Sequence, residues 1–400
     1  MAIISIAKLL LLLCALVVLS STQFRTPPAF VELKARTLRF TPAAVLVTLL
    51  AFALSLLWTI APDADAWGSL AKYGKLLTVV VLMTLIRSRR EALYALGWFV
   101  LTQLFLVGSS WALFLHWPVP WATSNMATNE YAVFSSYLDQ GIMGAVVAAI
   151  CWHLRSLMPG RFGKHVAIAA ALLTLSNVLF VLSGRSGHVV AIAMLSLAIM
   201  WQLPKRFRAL VILLPFVLAL VLFLSSSKVR DRLTTVKNEV QSYSSQQKAT
   251  TSSGIRLELW RRAIGIISDH PLAGLGVGSW STEYNLLEYK KNPAQMPIDG
   301  NGNPHQEYLQ WGVQLGLPGI VLLLGLFGSI FRDTLGMEPA VARAAQSALA
   351  GLMVACLFNS SLYDALIGDF FCITLGLLLA FGKDRQPIAG IKLPDVNRAA

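Results

Sequence analysis

The residues best suited to chemistry fall in three short segments: Ser183-Gly-Arg-Ser-Gly187, Arg256-Leu-Glu-Leu-Trp-Arg-Arg-Ala263 and Asn303-Pro-His-Gln-Glu-Tyr-Leu309. Of six histidines, only His305 stands in a dense polar setting, which runs from Asp299 to Tyr308. An imidazole there can stay neutral near pH 7 and accept a proton from a hydroxyl. The same position also suits a capping or interfacial histidine. Arg185 lies between two apolar runs, where a charge is unfavourable unless it faces a cavity or an anion. Its flanking glycines would let a ligand approach the backbone, and a helix starting there adds N-terminal amides for an anion. Arg256 opens an amphipathic stretch that continues through Arg261 and Arg262. A guanidinium matches phosphate through planar, paired donors. Arg261 and Arg262 equally suit a solvated or headgroup-facing surface.

Other polar residues point less sharply. Asp63-Ala-Asp65 matches a bare Asp-x-Asp pattern that can hold a divalent metal, but aspartates opening a helix are the commoner case. Asp364 and Asp369 flank the last apolar run and would orient a base or cap a helix. The glycines of His270-Pro-Leu-Ala-Gly-Leu-Gly-Val-Gly278 look like a phosphate loop, yet they suit a tight turn against a membrane surface better. P-loop, zinc-protease and Rossmann patterns are absent. Cys14, Cys151, Cys356 and Cys372 all lie in apolar runs without metal-ligand spacing and read as packed small hydrophobes.

The elements that position these residues must be membrane helices. Hydrophobic residues make up 56% of the 400-residue chain and charged residues only 13%. A soluble domain carries about 25% charge, so a soluble enzyme is excluded, as are disorder and collagen-like structure. Apolar runs occupy approximately 2–21, 42–60, 70–86, 91–114, 134–154, 166–183, 187–203, 208–225, 311–331, 341–361 and 366–382. Each is near the length that crosses about 30 Å of hydrocarbon.

Basic residues sort the connections between these eleven spans. Arg25 to Arg39, Arg87 to Arg90, Arg155 to Lys164, Lys205 to Arg208, Arg332, Arg343 and the tail from Lys383 fall on alternate loops. That side is expected to be cytoplasmic, and the net charge of +13 reflects these loops and anionic ligands rather than nucleic acid. His153 and His165 flank one such loop and are expected among lipid headgroups. The chain thus divides into N-terminal transmembrane helices (1–225), a long outer loop (226–310), C-terminal transmembrane helices (311–382) and a tail (383–400). Within the loop, 231–244 and 255–269 read as helices, with Ile255, Leu259, Ala263 and Ile266 on one face of the second. Eleven spans with a cytoplasmic tail leave Met1 on the outer side, so a further short helix within 22–41 is one expectation.

The three segments, together with His270–Gly278 and Gly316-Leu-Pro-Gly319, occur in an order that resembles the O-antigen ligases. These sit within a wider group of membrane proteins that includes O-antigen polymerases and O-oligosaccharyltransferases. The resemblance covers roughly residues 180–330, and Gln306 stands where family chains often carry Asn. It implies an all-α polytopic membrane protein of the C-type glycosyltransferase kind, with eleven or twelve spans and a periplasmic helical loop. It implies transfer of O-antigen from undecaprenyl diphosphate to a lipid A–core sugar hydroxyl, at the periplasmic face of a Gram-negative inner membrane. His305 would be the general base, and Arg185 and Arg256 would bind the diphosphate. Arg261, Tyr308, Glu307 and Asn303 would support them, with no metal and no cofactor. Polymerase and protein glycosylation share the donor and stay open as alternatives. A transporter of lipid-linked sugars is the non-enzymatic one, although charges gathered on one face favour chemistry on one side.

Overall fold

The computed structural model describes residues 40–204, 206–207, 213–225, 252–291 and 302–382. The expected span 2–21, the expected helix 231–244, Asp299 and the tail from Lys383 lie outside these. The described residues form helices and turns, with no strand among them. In chain order they are α1 (Phe40–Leu57), α2 (Asp63–Leu85), α3 (Arg89–Phe114), the short α4 (Ala127–Glu130), α5 (Tyr137–Leu154) and α6 (Gly163–Val181). Then come α7 (Arg185–Gln202), α8 (Leu214–Ser225), α9 (Ser252–Asp269), α10 (Ser279–Lys291), α11 (Glu307–Thr334), α12 (Pro339–Ala355) and α13 (Ala365–Phe381). Six of these (α1, α2, α3, α5, α6 and α11) are long and apolar enough to cross a membrane. The protein is an all-α polytopic membrane protein.

Local sequence sets the helix starts. Ser88 accepts from the Glu91 amide at 3.2 Å, and Ser136 from the Asp139 amide at 3.1 Å, so α3 and α5 each begin on a serine cap. Pro339 opens α12, where a missing amide proton does no harm. Gln306 caps α11 by accepting from the Leu309 amide at 2.6 Å. The residue at which the resemblance departs from Asn is therefore a helix cap. The helices alternate in direction. The loops 58–62, 115–136, 182–184, 302–306 and 356–364 gather at one end, called here the site end. The basic loops gather at the other, where Arg89 pairs with Glu338 and the Thr41 amide donates to Asp333 at 2.8 Å.

Small residues bring the central helices together. A Cβ added to Gly187 would lie 2.9 Å from the Cα of Gly141, so α5 and α7 cross backbone against backbone. This corrects the reading of the glycines around Arg185: Gly187 admits a neighbouring helix, not a ligand. His153 is likewise buried, edge-on to Trp201 at 4.9 Å, because α7 covers that face of α5. Cys151, Cys356 and Cys372 are all buried. The apolar run 341–361 yields a helix only to Ala355; beyond it the chain turns, and the Cys356 carbonyl accepts from the Glu307 amide at 3.0 Å.

The glycine segment after α9 is a strap. Gly274, Gly276 and Gly278 have φ of 61°, 85° and 81°. The Leu275 and Gly276 amides donate to the carbonyls of Val313 and Gln314, Val277 to Ser55 Oγ, and Gly278 to Gln314 Oε1. Those amides are spent on α1 and α11, so the segment is no phosphate cradle. It wedges against the break in α11, where Gly316 leaves helical geometry two residues before Pro318. A Cβ at position 276 would lie 2.3 Å from the Cα of Thr59. Gly276→Ala should therefore destabilise the purified protein by about 1–3 kcal/mol, read as a lowered Tm. A melt superimposable on the parent would contradict the strap.

Candidate active site

The site is built on helix ends. His305 lies just before α11, half-buried, with φ of 52°. Histidine tolerates this left-handed region better than most residues, and the turn is held because the His305 amide donates to Asn303 Oδ1 at 2.8 Å. Asn303 in turn donates from Nδ2 to Asp364 at 3.1 Å. Arg185 is the first residue of α7, and its Nη1 donates to Ser253 Oγ at 3.2 Å. Ser253 sits one turn ahead of Arg256 on α9. The contact joins the start of α7 to α9 and brings Arg185 within electrostatic reach of Arg256.

Arg256 lies close enough to Arg185 and to His305 to interact with each. Burial holds the Arg256 guanidinium below its ordinary pKa, and the charge of Arg185 lowers it further. Arginine remains charged regardless, so two like charges stand in a partly desolvated pocket, an arrangement that an anion would relieve. Burial also lowers the pKa of His305 from its ordinary 6.5, with the charge of Arg256 as the second cause and a bond to Asn359 opposing it. The imidazole is thereby biased toward its neutral form.

One edge of the imidazole is oriented by Asn359, which sequence reasoning did not single out, backed by Asp364, which it did. His305 Nδ1 lies 3.5 Å from Asn359 Oδ1, and Asn359 also bonds the Asp364 carboxylate. With Asn359 Oδ1 as acceptor, Nδ1 carries the proton and Nε2 has the free lone pair. Asp364 is raised above the usual carboxylate range by burial, against the pull of Lys75, Lys72 and the two asparagines. Lys75 is buried, and its ammonium donates to the carbonyls of Asp364 at 2.6 Å and Tyr363 at 3.2 Å. It reaches them because Gly368 has no side chain in its path. Lys72 lies 4.1 Å above the Tyr363 ring. Asn359 and Lys75 both come from apolar runs, where only their polarity against that background was available as a signal.

The remaining candidates divide. Glu307 is fully buried and accepts from Trp311 Nε1 at 2.8 Å, from the Leu362 amide at 2.8 Å and from the Tyr363 amide at 3.2 Å. It carries the loop that bears Asn359 and Asp364, without facing the pocket. Tyr308 points away, donating to the Met353 carbonyl at 3.2 Å beside Phe327. Arg261 is largely exposed, 3.8 Å from Glu258. Arg262 clips α9 to α10 through Glu258 and Glu288 and lies 4.7 Å from the Tyr284 ring centroid. Asp63 and Asp65 sit in the first turn of α2. Among the described residues no cluster of three His, Cys, Asp or Glu has a metal-ligand arrangement.

The lowered His305 pKa has a definite sign. Native His305 binds its proton less tightly than the unfolded chain does. Its contribution to stability is intact above pH 6.5 and is lost as pH falls through 6.5 toward the native value. Diethylpyrocarbonate acylates neutral imidazole, so the rate of His305 modification, followed by peptide mass spectrometry, should titrate below 6.5. In Arg256→Gln the midpoint should rise. An unshifted midpoint in that variant would separate the two residues.

Comparison with known proteins gives the same segment. Residues 168–324, from α6 into α11, match a family model described as O-antigen ligase. The chain is 27% identical over 129 residues to the O-antigen ligase of Escherichia coli K12, covering 32% of this chain and 30% of that protein. It is 24% identical over 186 residues to an uncharacterized protein of Haemophilus influenzae, covering 45% of each. The chain thus spans less than half the length of the curated relatives it matches. Arg185, Arg256 and His305 all fall inside the family match, whereas Lys75, Asn359 and Asp364 fall outside it. Taken together, these matches show that residues 168–324 are similar to the O-antigen ligase family.

Proposed function

We propose that the protein transfers O-antigen from undecaprenyl diphosphate to a sugar hydroxyl of lipid A–core, at a site facing the periplasm. The observation that supports this reading is that Arg256 interacts with both Arg185 and a half-buried, neutral-biased His305. The acceptor oxygen attacks the anomeric carbon of the donor with inversion. Its proton passes to His305 Nε2, the carbon–oxygen bond to the diphosphate breaks, and undecaprenyl diphosphate leaves. Charge grows on the leaving oxygens, and Arg185 and Arg256 stabilise it with preorganised donors. They supply the charge that a divalent ion gives many sugar-diphosphate enzymes, so the reaction is proposed to be metal-independent. Asn359 and Asp364 hold the imidazole in the tautomer that leaves Nε2 as base.

The lipid tail needs an apolar path beside this pocket. A groove of about 900 Å³ runs between α3, α5 and α13, with Ser135, Leu366 and Asp369 at the site end and Trp98 farther along α3. Leu366 follows Asp364 by two residues, so a polyprenyl chain in the groove would bring its diphosphate toward the basic pocket.

A two-substrate assay tests the reading. Purified protein, undecaprenyl-diphosphate-linked glycan and rough lipopolysaccharide should give a shifted lipopolysaccharide band that resists EDTA. His305→Ala should lower the rate by about 10²–10⁴-fold. Arg185→Lys should also be strongly impaired, since an ammonium does not reproduce paired donation. Activity in His305→Ala equal to the parent would remove the base. Lengthened undecaprenyl-linked chains in place of the shifted band would make the protein a polymerase. Loss of turnover in EDTA with rescue by Mg²⁺ would overturn metal independence.

A further inference from the structure

At the end of the bundle opposite the site, α3 and α6 part. Near the site end they are joined, Asn177 Nδ2 donating to Ser110 Oγ at 3.2 Å and Trp111 Nε1 to the Leu173 carbonyl at 3.5 Å. Toward the basic end they splay and leave a groove of about 540 Å³, floored by Ile150 and Leu154 of α5. Its α3 wall is the stripe Leu93, Gly97, Val100 and Leu104, and its α6 wall includes Ala167 and Ala170. From Leu93 to Leu104 the wall rises about 16 Å at the helical pitch. That is about half the thickness of a hydrocarbon core, the depth of one leaflet.

The mouth is basic. Arg161 lines the groove beside Phe162, which is 69% exposed, and its guanidinium lies 5.9 Å from that ring. Arg90 stands one turn before Leu93 on α3, exposed, with its guanidinium 5.5 Å from the Tyr94 ring. Among the described residues, none that lines the groove is acidic. Nearby acids are engaged elsewhere: Glu91 accepts from the Arg87 amide at 3.0 Å, and Glu338 pairs with Arg89.

We propose that this groove binds an anionic glycerophospholipid, one acyl chain lying between α3, α5 and α6 and the phosphate meeting Arg161 and Arg90. The chain-length depth and the basic mouth together select that occupant: an uncharged lipid would fill the groove but leave the arginines unmatched. The site lies at the opposite end of the helices from His305 and does not rest on the transfer reading. By filling the gap, the lipid holds α3 and α6 at a fixed spacing.

Gly97 offers a clean test, because no atom lies within 4 Å of a Cβ built there. Gly97→Leu sets its Cβ in open space and its branch into the groove, and leucine favours a helix over glycine. Native mass spectrometry of the delipidated protein would count bound dioleoyl phosphatidylglycerol and dioleoyl phosphatidylcholine across a titration. The parent should retain phosphatidylglycerol with about tenfold preference, given two guanidiniums at the mouth. Arg90→Gln/Arg161→Gln, changed only at exposed side chains, should erase that preference. Gly97→Leu should lose the retained lipid of either kind. Equal retention of the two lipids by the parent would overturn the proposal, as would undiminished phosphatidylglycerol on a folded Gly97→Leu protein.

Discussion

The geometry of the site depends on one buried carboxylate. Glu307 begins α11 and spends both oxygens on the Trp311 indole and the amides of Leu362 and Tyr363. Unsatisfied, a carboxylate so placed would be strongly unfavourable; satisfied, it locks two segments that are distant in sequence. One segment carries His305 and the other carries Asn359 and Asp364. The lock rests on an aromatic bed in which Phe52 stacks on Tyr73 at 4.1 Å and meets Trp311 edge-on at 4.9 Å. Gln314 ties the bed to the glycine strap through Tyr73 and Gly278. The imidazole therefore stands on packed helix ends although it lies in a turn.

Charge placement follows from that frame. Lys72 and Lys75 lie behind Asp364, Asn359 lies between Asp364 and His305, and Arg256 and Arg185 lie on the far side. The histidine is thus flanked by cations at one contact and by an amide backed by a carboxylate at the other. Burial and Arg256 keep it neutral, and Asn359 fixes its tautomer. A general base and an anion clamp need this separation, because a carboxylate between the arginines would compete with a diphosphate for them.

Much of this was legible in the sequence. Hydropathy marked the apolar helices among the described residues, six of them long enough to cross a membrane, and loop charge separated the two ends, because the bilayer leaves only apolar helices as crossing elements. Arg185 and His305 were legible as charged or titratable residues at span boundaries, and Arg256 as an arginine opening an amphipathic stretch of the long loop. Their partners were not. Lys75 and Asn359 sit within apolar runs, and periodicity tells which face a residue occupies without telling which helix covers it. Gly187 misled for the same reason: a glycine beside an arginine suits a ligand or a helix crossing equally, and only the approach of Gly141 decides. Tyr308 stood in the right segment, but the helical turn points it at α12 instead of the pocket.

The central claim is that Arg185 and Arg256 hold one diphosphate between them. A double-mutant cycle on binding tests it without any turnover: affinity for undecaprenyl diphosphate in lipid nanodiscs for the parent, Arg185→Gln, Arg256→Gln and the double variant. Two residues on one ligand group should be coupled, so that each single change removes most of the affinity and the second adds little. Parent-like affinity in either single variant, or independent and additive losses, would contradict the shared clamp.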